Sequence, residues 1–101
     1  MKGEPKRIVL LGSTGSIGRS TLDVVRSLGG GIRVVGLAAR SNVDLLVEQA
    51  SEFKPEAVAV VDDDAAREFA RRLPHVKLLG GEHALEDLAS LPEADLVVVA
   101  V

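Results

Sequence analysis

The chain has 101 residues, 47% hydrophobic and 27% charged, which suits one globular domain near the small end of the range that builds its own core. A formal net charge of −3 gives no basic field for nucleic acid, and Phe53 and Phe69 are the only aromatics, too few for a base-stacking platform. Without cysteine neither a disulfide framework nor a thiolate metal site is possible, and no apolar run approaches the ~18 residues of a membrane span; the expectation is a soluble, cytoplasmic protein with no nucleic-acid or membrane partner.

Short runs rich in β-branched residues alternate with segments of helical periodicity. The first predicted strand is Arg7–Leu11, and a glycine-rich loop follows it. Ile17, Thr21, Val24, Val25 and Leu28 then recur at helical spacing and predict a helix that buries this stripe, stopped by Gly29-Gly30-Gly31. A second strand is predicted at Arg33–Ala38, then a helix with the stripe Val43, Leu46, Val47, Ala50 and Phe53, stopped before Pro55. The third strand, Ala57–Val61, leads into a helix using Ala66, Phe69, Ala70 and Leu73, with Pro74 behind it. Lys77–Leu79 reads as a short extra strand, Ala84, Leu85 and Leu88 as a fourth helix, and Leu96–Val101 as the last strand.

The strands are continuous apolar runs, as in strands covered on both faces. The expected fold is therefore α/β, a doubly wound parallel sheet of Rossmann-like type, with residues 1–101 as one unit and no interdomain linker. In such a sheet the last strand is central once later strands have joined; here its apolar run is an exposed edge. The expectation is that these residues form the amino-terminal part of a longer enzyme.

Gly12-Ser13-Thr14-Gly15-Ser16-Ile17-Gly18 follows a strand and opens a helix, the setting in which a glycine pattern acquires meaning. Gly12 would make the tight turn, Gly15 would let a pyrophosphate approach the backbone, and Gly18 would bring helix and strand close. Backbone N–H groups of residues 14–17 would face the anion at the positive end of the helix, with the Thr14 and Ser16 hydroxyls as further donors. The plainer alternative is a glycine-rich loop in which Ser16 only caps the helix. At the end of the second strand an NAD site would carry a carboxylate for the ribose hydroxyl. This chain has Arg40-Ser41-Asn42 instead, a guanidinium fork and two polar donors suited to a 2′-phosphate, so NADPH is favoured over NADH. Alternatively Arg40 is a solvated cation and Asn42 the cap of the second helix.

Other polar features have plainer readings. Asp62-Asp63-Asp64 reads as cap and dipole partners of the third helix rather than a cation site. His75 and His83 read as surface or capping residues, and Arg67, Arg71 and Arg72 as a solvated helix face. No catalytic acid and base pair and no metal ligand is assigned.

Gly12 to Gly18, followed by Ser20-Thr21-Leu22-Asp23-Val24-Val25, then Val34-Val35-Gly36-Leu37-Ala38-Ala39 and Asn42, resembles the amino terminus of the 1-deoxy-D-xylulose 5-phosphate reductoisomerases, across essentially the whole chain. The resemblance implies NADPH-dependent rearrangement and reduction of a sugar phosphate to 2-C-methylerythritol 4-phosphate in isoprenoid precursor synthesis, with Mg²⁺ or Mn²⁺, by a homodimeric parent enzyme. By position, Thr14, Gly15, Ser16 and Ile17 would hold the pyrophosphate and Arg40, Ser41 and Asn42 the 2′-phosphate side. Many relatives have Gly-Lys-Asn where this chain has Arg40-Ser41-Asn42, so Arg40 and the Ser41-Asn42 pair stand as alternative phosphate donors. The metal ligands, substrate-phosphate site and flap of the family would lie beyond this segment, which alone would be inactive. Other NADP-linked enzymes with the same glycine spacing, or a stand-alone nucleotide-sensing module, are the alternative readings.

Overall fold

The structure, a computed structural model, describes residues 3–100. Its elements run β1 (Lys6–Leu11), α1 (Ser16–Ser27), β2 (Ile32–Ala39), α2 (Val43–Phe53), β3 (Ala57–Val60), α3 (Asp63–Arg72), β4 (Leu78–Leu79), α4 (Ala84–Ala89) and β5 (Leu96–Val99). All the strand pairs are parallel, in the order β4-β3-β2-β1-β5. The expected α/β parallel sheet is present, including the short strand within Lys77–Leu79; Val101, assigned to the last strand, lies outside the described residues.

The strand alternation sorts the core into two layers. Ile8, Leu10, Val34, Leu37, Val58 and Val60 point to the face covered by α1, α2 and α3, whose Leu22, Leu46 and Phe69 fill it. Val9, Val35, Ala38, Ala57 and Ala59 point to the opposite face, under Ala84 and Leu88 of α4. The chain moves outward from β1 through β2 and β3 to β4, then returns over the other face to β5 on the far side of β1. That reversal places a switch point between the carboxyl ends of β1 and β5.

Gly36 lets the second layer close: a Cβ there would sit 3.0 Å from both Leu88 Cδ1 and Val9 Cγ2. The β1–β2 register shifts at the same place, with Ile8 opposite Val34 and Val9 opposite Gly36, so Val35 is the additional residue.

Helix α1 departs from the expected packing. Its buried residues are Gly18, Leu22 and Val25. Ile17, Val24 and Leu28, expected in a buried stripe, are 56%, 55% and 52% exposed. Successive residues turn by 100°, so Ile17, Thr21, Val24 and Leu28 lie about a quarter turn from the line Gly18, Leu22, Val25. The opposite flank meets α2, where Arg26 pairs with Glu52 through contacts of 2.6 and 2.7 Å and its guanidinium lies 5.2 Å from the Phe53 ring centroid. The exposed stripe therefore overhangs the β5 side of the sheet. Periodicity identified an apolar line correctly, but Gly18 sets which line can reach the strands. Smaller differences of the same kind occur in α3 and α4, where Ala70 and Leu85 of the expected stripes are exposed and Ala65, outside them, is buried, while Ala84 and Leu88 are buried as expected.

β5 is tied to β1 at its start by Asp95, whose carboxylate accepts from the Arg7 backbone N–H at 2.9 Å and from its guanidinium at 3.3 Å. Leu96 and Val99 are 53% and 61% exposed on that edge.

Candidate functional site

The carboxyl end of β1 turns at Gly12, whose φ of 84° is in the left-handed region that a side chain rarely adopts. The N–H groups of Gly12 and Ser13 both donate to the Ala38 carbonyl at 2.9 Å, fixing the start of the loop to β2. Gly18, one turn into α1, then packs directly on this loop. A Cβ there would lie 2.1 Å from the Gly12 carbonyl oxygen and 2.7 Å from Ser13 Cα, both backbone atoms that cannot move aside cheaply. Gly15 is different: its Cβ would meet only the Gly12 oxygen, at 3.8 Å, and otherwise point into open space.

Gly15 is also the N-cap of α1, with extended backbone and no side-chain cap. Ser16, the alternative cap in the sequence reading, is the first helical residue and does not serve as one. Among the described residues the amides of Thr14, Ser16 and Ile17 have no backbone acceptor, and no acidic side chain occupies the first turn. The next two helices satisfy their own starts. Asn42 Oδ1 accepts from Leu45 N at 3.2 Å, and an Asp62 carboxylate oxygen accepts from Ala65 N at 2.9 Å. Asp44 adds negative charge to the first turn of α2, and Asp63 and Asp64 to that of α3. The start of α1 thus retains uncompensated positive dipole and free donors, and it lies at the switch point.

Arg40, Ser41 and Asn42 follow β2 at the same end of the sheet and are exposed. Ion pairs among the described residues use Arg7, Arg26, Arg33, Arg67, Arg71 and Arg72, and none uses Arg40. Arg40 and Ser41 line a shallow cleft together with Val61, Asp62 and Asp63, residues the sequence reading had not placed there. Their proximity follows from the Asp62 N–H donating to the Arg40 carbonyl at 2.9 Å, a pairing of adjacent strand ends that carries no local sequence signal. One Asp62 oxygen is engaged by the α3 cap, which restrains that carboxylate beside Arg40. Asn42 has the capping role weighed as its alternative.

The remaining polar residues lie apart. His75 borders a cleft with Lys54, Glu56 and Lys77 at the amino ends of the strands, opposite the glycine loop. His83 is exposed at the start of α4, with Nδ1 2.9 Å from Glu86. Arg67 and Arg71 pair with Asp64 and Glu68 on α3, while Arg72 reaches Asp44 of α2 at 2.6 Å. Among the described residues no group of His, Asp and Glu side chains could hold a metal ion, and no helix is long and apolar enough to cross a membrane.

A family model for 1-deoxy-D-xylulose 5-phosphate reductoisomerase matches residues 8–101. The reductoisomerase of Caldanaerobacter subterraneus is 48% identical over 97 residues, covering 95% of this chain and 25% of that protein. That of Elusimicrobium minutum is 50% identical over 95 residues, covering 92% and 24%. A crystal structure of DOX-P reductoisomerase in complex with NADPH, fosmidomycin and magnesium superposes with a TM-score of 0.89 at 31% identity, over 95% of this chain and 24% of that one. The Zymomonas mobilis enzyme in complex with NADPH gives 0.84 at 29%, over 93% and 25%. The chain thus spans about a quarter of the length of the relatives it matches.

Proposed function

This chain belongs to the 1-deoxy-D-xylulose 5-phosphate reductoisomerase family, and we propose that residues 1–101 are its NADPH-binding unit. The observation that carries this reading is the start of α1, uncapped, free of acid and opening off the Gly12 turn at the switch point. Solved relatives with NADPH bound superpose on this fold. The residues present fit the cofactor: a Gly15 Cβ would meet nothing closer than the Gly12 oxygen at 3.8 Å, and the neighbouring amides of Thr14, Ser16 and Ile17 have no backbone acceptor.

In this reading the N–H groups of Thr14, Ser16 and Ile17 receive the pyrophosphate over Gly15, whose own N–H is turned to the Gly12 carbonyl at 3.4 Å, with the Thr14 and Ser16 hydroxyls beside them. Gly12 shapes the turn and Gly18 seats the helix. Arg40 takes the 2′-phosphate as a planar fork, aided by Ser41 and by the backbone at Asn42. The apolar wall of Val61 offers a surface for adenine. NADPH supplies the hydride when bound; what these residues do is hold its adenosine and pyrophosphate half in register. The complete enzyme rearranges and reduces 1-deoxyxylulose 5-phosphate with Mg²⁺ or Mn²⁺, as a cytoplasmic homodimer. The described residues supply no metal ligand set. Steady NADPH oxidation by this chain alone, dependent on the sugar phosphate and the metal, would contradict the assignment of chemistry elsewhere.

The binding test compares 2′-phospho-ADP-ribose with ADP-ribose by calorimetry, which needs no nicotinamide pocket. The chain should prefer the phosphorylated ligand. A charged hydrogen bond is worth about 1.5–3 kcal/mol, so Arg40→Ala should cut that preference roughly ten- to a hundredfold. A change under about threefold, roughly 0.7 kcal/mol, transfers the phosphate to Ser41 and Asn42.

A further inference from the structure

Among the described residues the buried polar side chains are those of Ser13 and Gln49, and the two residues meet. Gln49, on the second turn of α2, is 3% exposed, and its Nε2 donates to the Ser13 carbonyl at 2.9 Å across 36 positions of sequence. The contact is incompletely compensated: Ser13 Oγ and Gln49 Oε1 are both enclosed without a hydrogen-bond partner. Packing alone disfavours such an arrangement, because an apolar side chain of the same length would fill the space with no orphaned oxygen. The apolar residues around it, Leu46 and Ala50, follow that rule.

We propose that Gln49 is a positioning residue for the nucleotide loop: its amide clamps Ser13 and so fixes the loop's height above β1 and its distance from the α2 side of the site. Ser13 is held from one direction by Ala38 of β2 and from another by Gln49 of α2. Ala38 lies just before Arg40, and α2 begins just after Asn42. Gln49 thereby joins the pyrophosphate loop to the element that carries the 2′-phosphate loop, touching neither ligand group itself. A carbonyl pulled toward Gln49 also turns the following peptide, so the Thr14 N–H is set by the same bond. The inference rests on the cofactor reading above.

The experiment uses Gln49→Met, which keeps the length and removes the donor, and Val47→Ala as a control that weakens α2 without touching the clamp. Amide chemical shifts report two titrations, with 2′-phospho-ADP-ribose and with adenosine 2′-phosphate, which lacks the pyrophosphate. Gln49→Met should weaken the first by about tenfold, the loss of roughly one hydrogen bond's alignment, and leave the second unchanged. In the ligand-free variant the Gly12 and Ser13 amides should exchange faster, while those of β3 keep their protection. Val47→Ala should lower the melting temperature yet keep the ratio of the two affinities. Equal loss for both ligands, or no loss with unchanged loop exchange, overturns the role of Gln49. A wild-type chain that takes neither nucleotide overturns the cofactor reading instead, and is distinguishable because the variant is then not needed to see it.

Discussion

Helices α1 and α2 lie side by side on one face of the sheet, yet they are finished differently. α2 caps its own first turn with Asn42, ends on a left-handed Lys54 before Pro55, and packs the whole of its apolar stripe against the core. α1 starts without a cap, seats itself through a glycine, and leaves Ile17, Val24 and Leu28 outside. α2 satisfies its own needs, whereas α1 keeps donors at its start and an apolar flank that its sheet does not use. That open start is what the cofactor proposal for α1 rests on.

The largest way to break this contrast is at its seat. Gly18→Val would drive a branched side chain into the Gly12 and Ser13 backbone, and should cost ~4 kcal/mol or more, observed as loss of the cooperative thermal melt. The two flanks of α1 should then separate in a denaturant series. Leu22→Ala, on the buried line, should lose about 3 kcal/mol, while Val24→Ala stays within about 0.5 kcal/mol. Equal losses would mean that the outer flank is covered in solution.

A change of cap should turn α1 into a helix of the α2 kind. Gly15→Asp fits the extended backbone and the open space there, and supplies both an acceptor and a negative charge. Stability should rise by about 0.5–1 kcal/mol while binding of any pyrophosphate ligand disappears, read by melting and titration of one sample. A variant that still binds would remove the helix start from the site.

The smallest effect concerns the exposed pairs, Arg7 with Asp95 and Arg26 with Glu52. Hydrogen bonds from Arg7 hold the Asp95 carboxyl below its ordinary value, and Arg26 does the same to Glu52. The unfolded chain therefore takes up these protons first as the solution is acidified. Their stabilisation is complete above the ordinary carboxylate range and is lost as pH falls through the depressed folded values. Because the groups are solvated the loss is small, and salt should shrink it further. Asp95→Asn should flatten the acid limb of the melting curve, with the detachment of β5 as the local signature.

Most of the candidate loop was legible from residues 8–18 because its constraints are local. A strand's apolar run, a turn that needs positive φ at Gly12 and a glycine at Gly18 are all properties of neighbours in sequence. The parallel α/β sheet was legible too, since continuous apolar runs alternating with helices admit few other arrangements, while the order β4-β3-β2-β1-β5 came from the structure. The burial of α1 was not legible. Its stripe had the right period, but which line faces the sheet depends on the closest approach at Gly18 and on α2 occupying one flank. The Arg40 cleft was half legible: Arg40-Ser41-Asn42 stood out as a segment without a carboxylate, while Val61 and Asp62 joined it only through a bond between adjacent strand ends.

The sequence by itself determined the element order, the glycine loop and the absence of an acid after β2, because each is written within a few residues and obeys local sterics or local charge. The tertiary structure alone decided which helix flank is buried, which helix start stays open to an anion, and that Gln49 meets Ser13 across 36 positions. Those outcomes depend on pairs of elements brought together by the sheet, and a contact between distant residues has no energy until both have been placed.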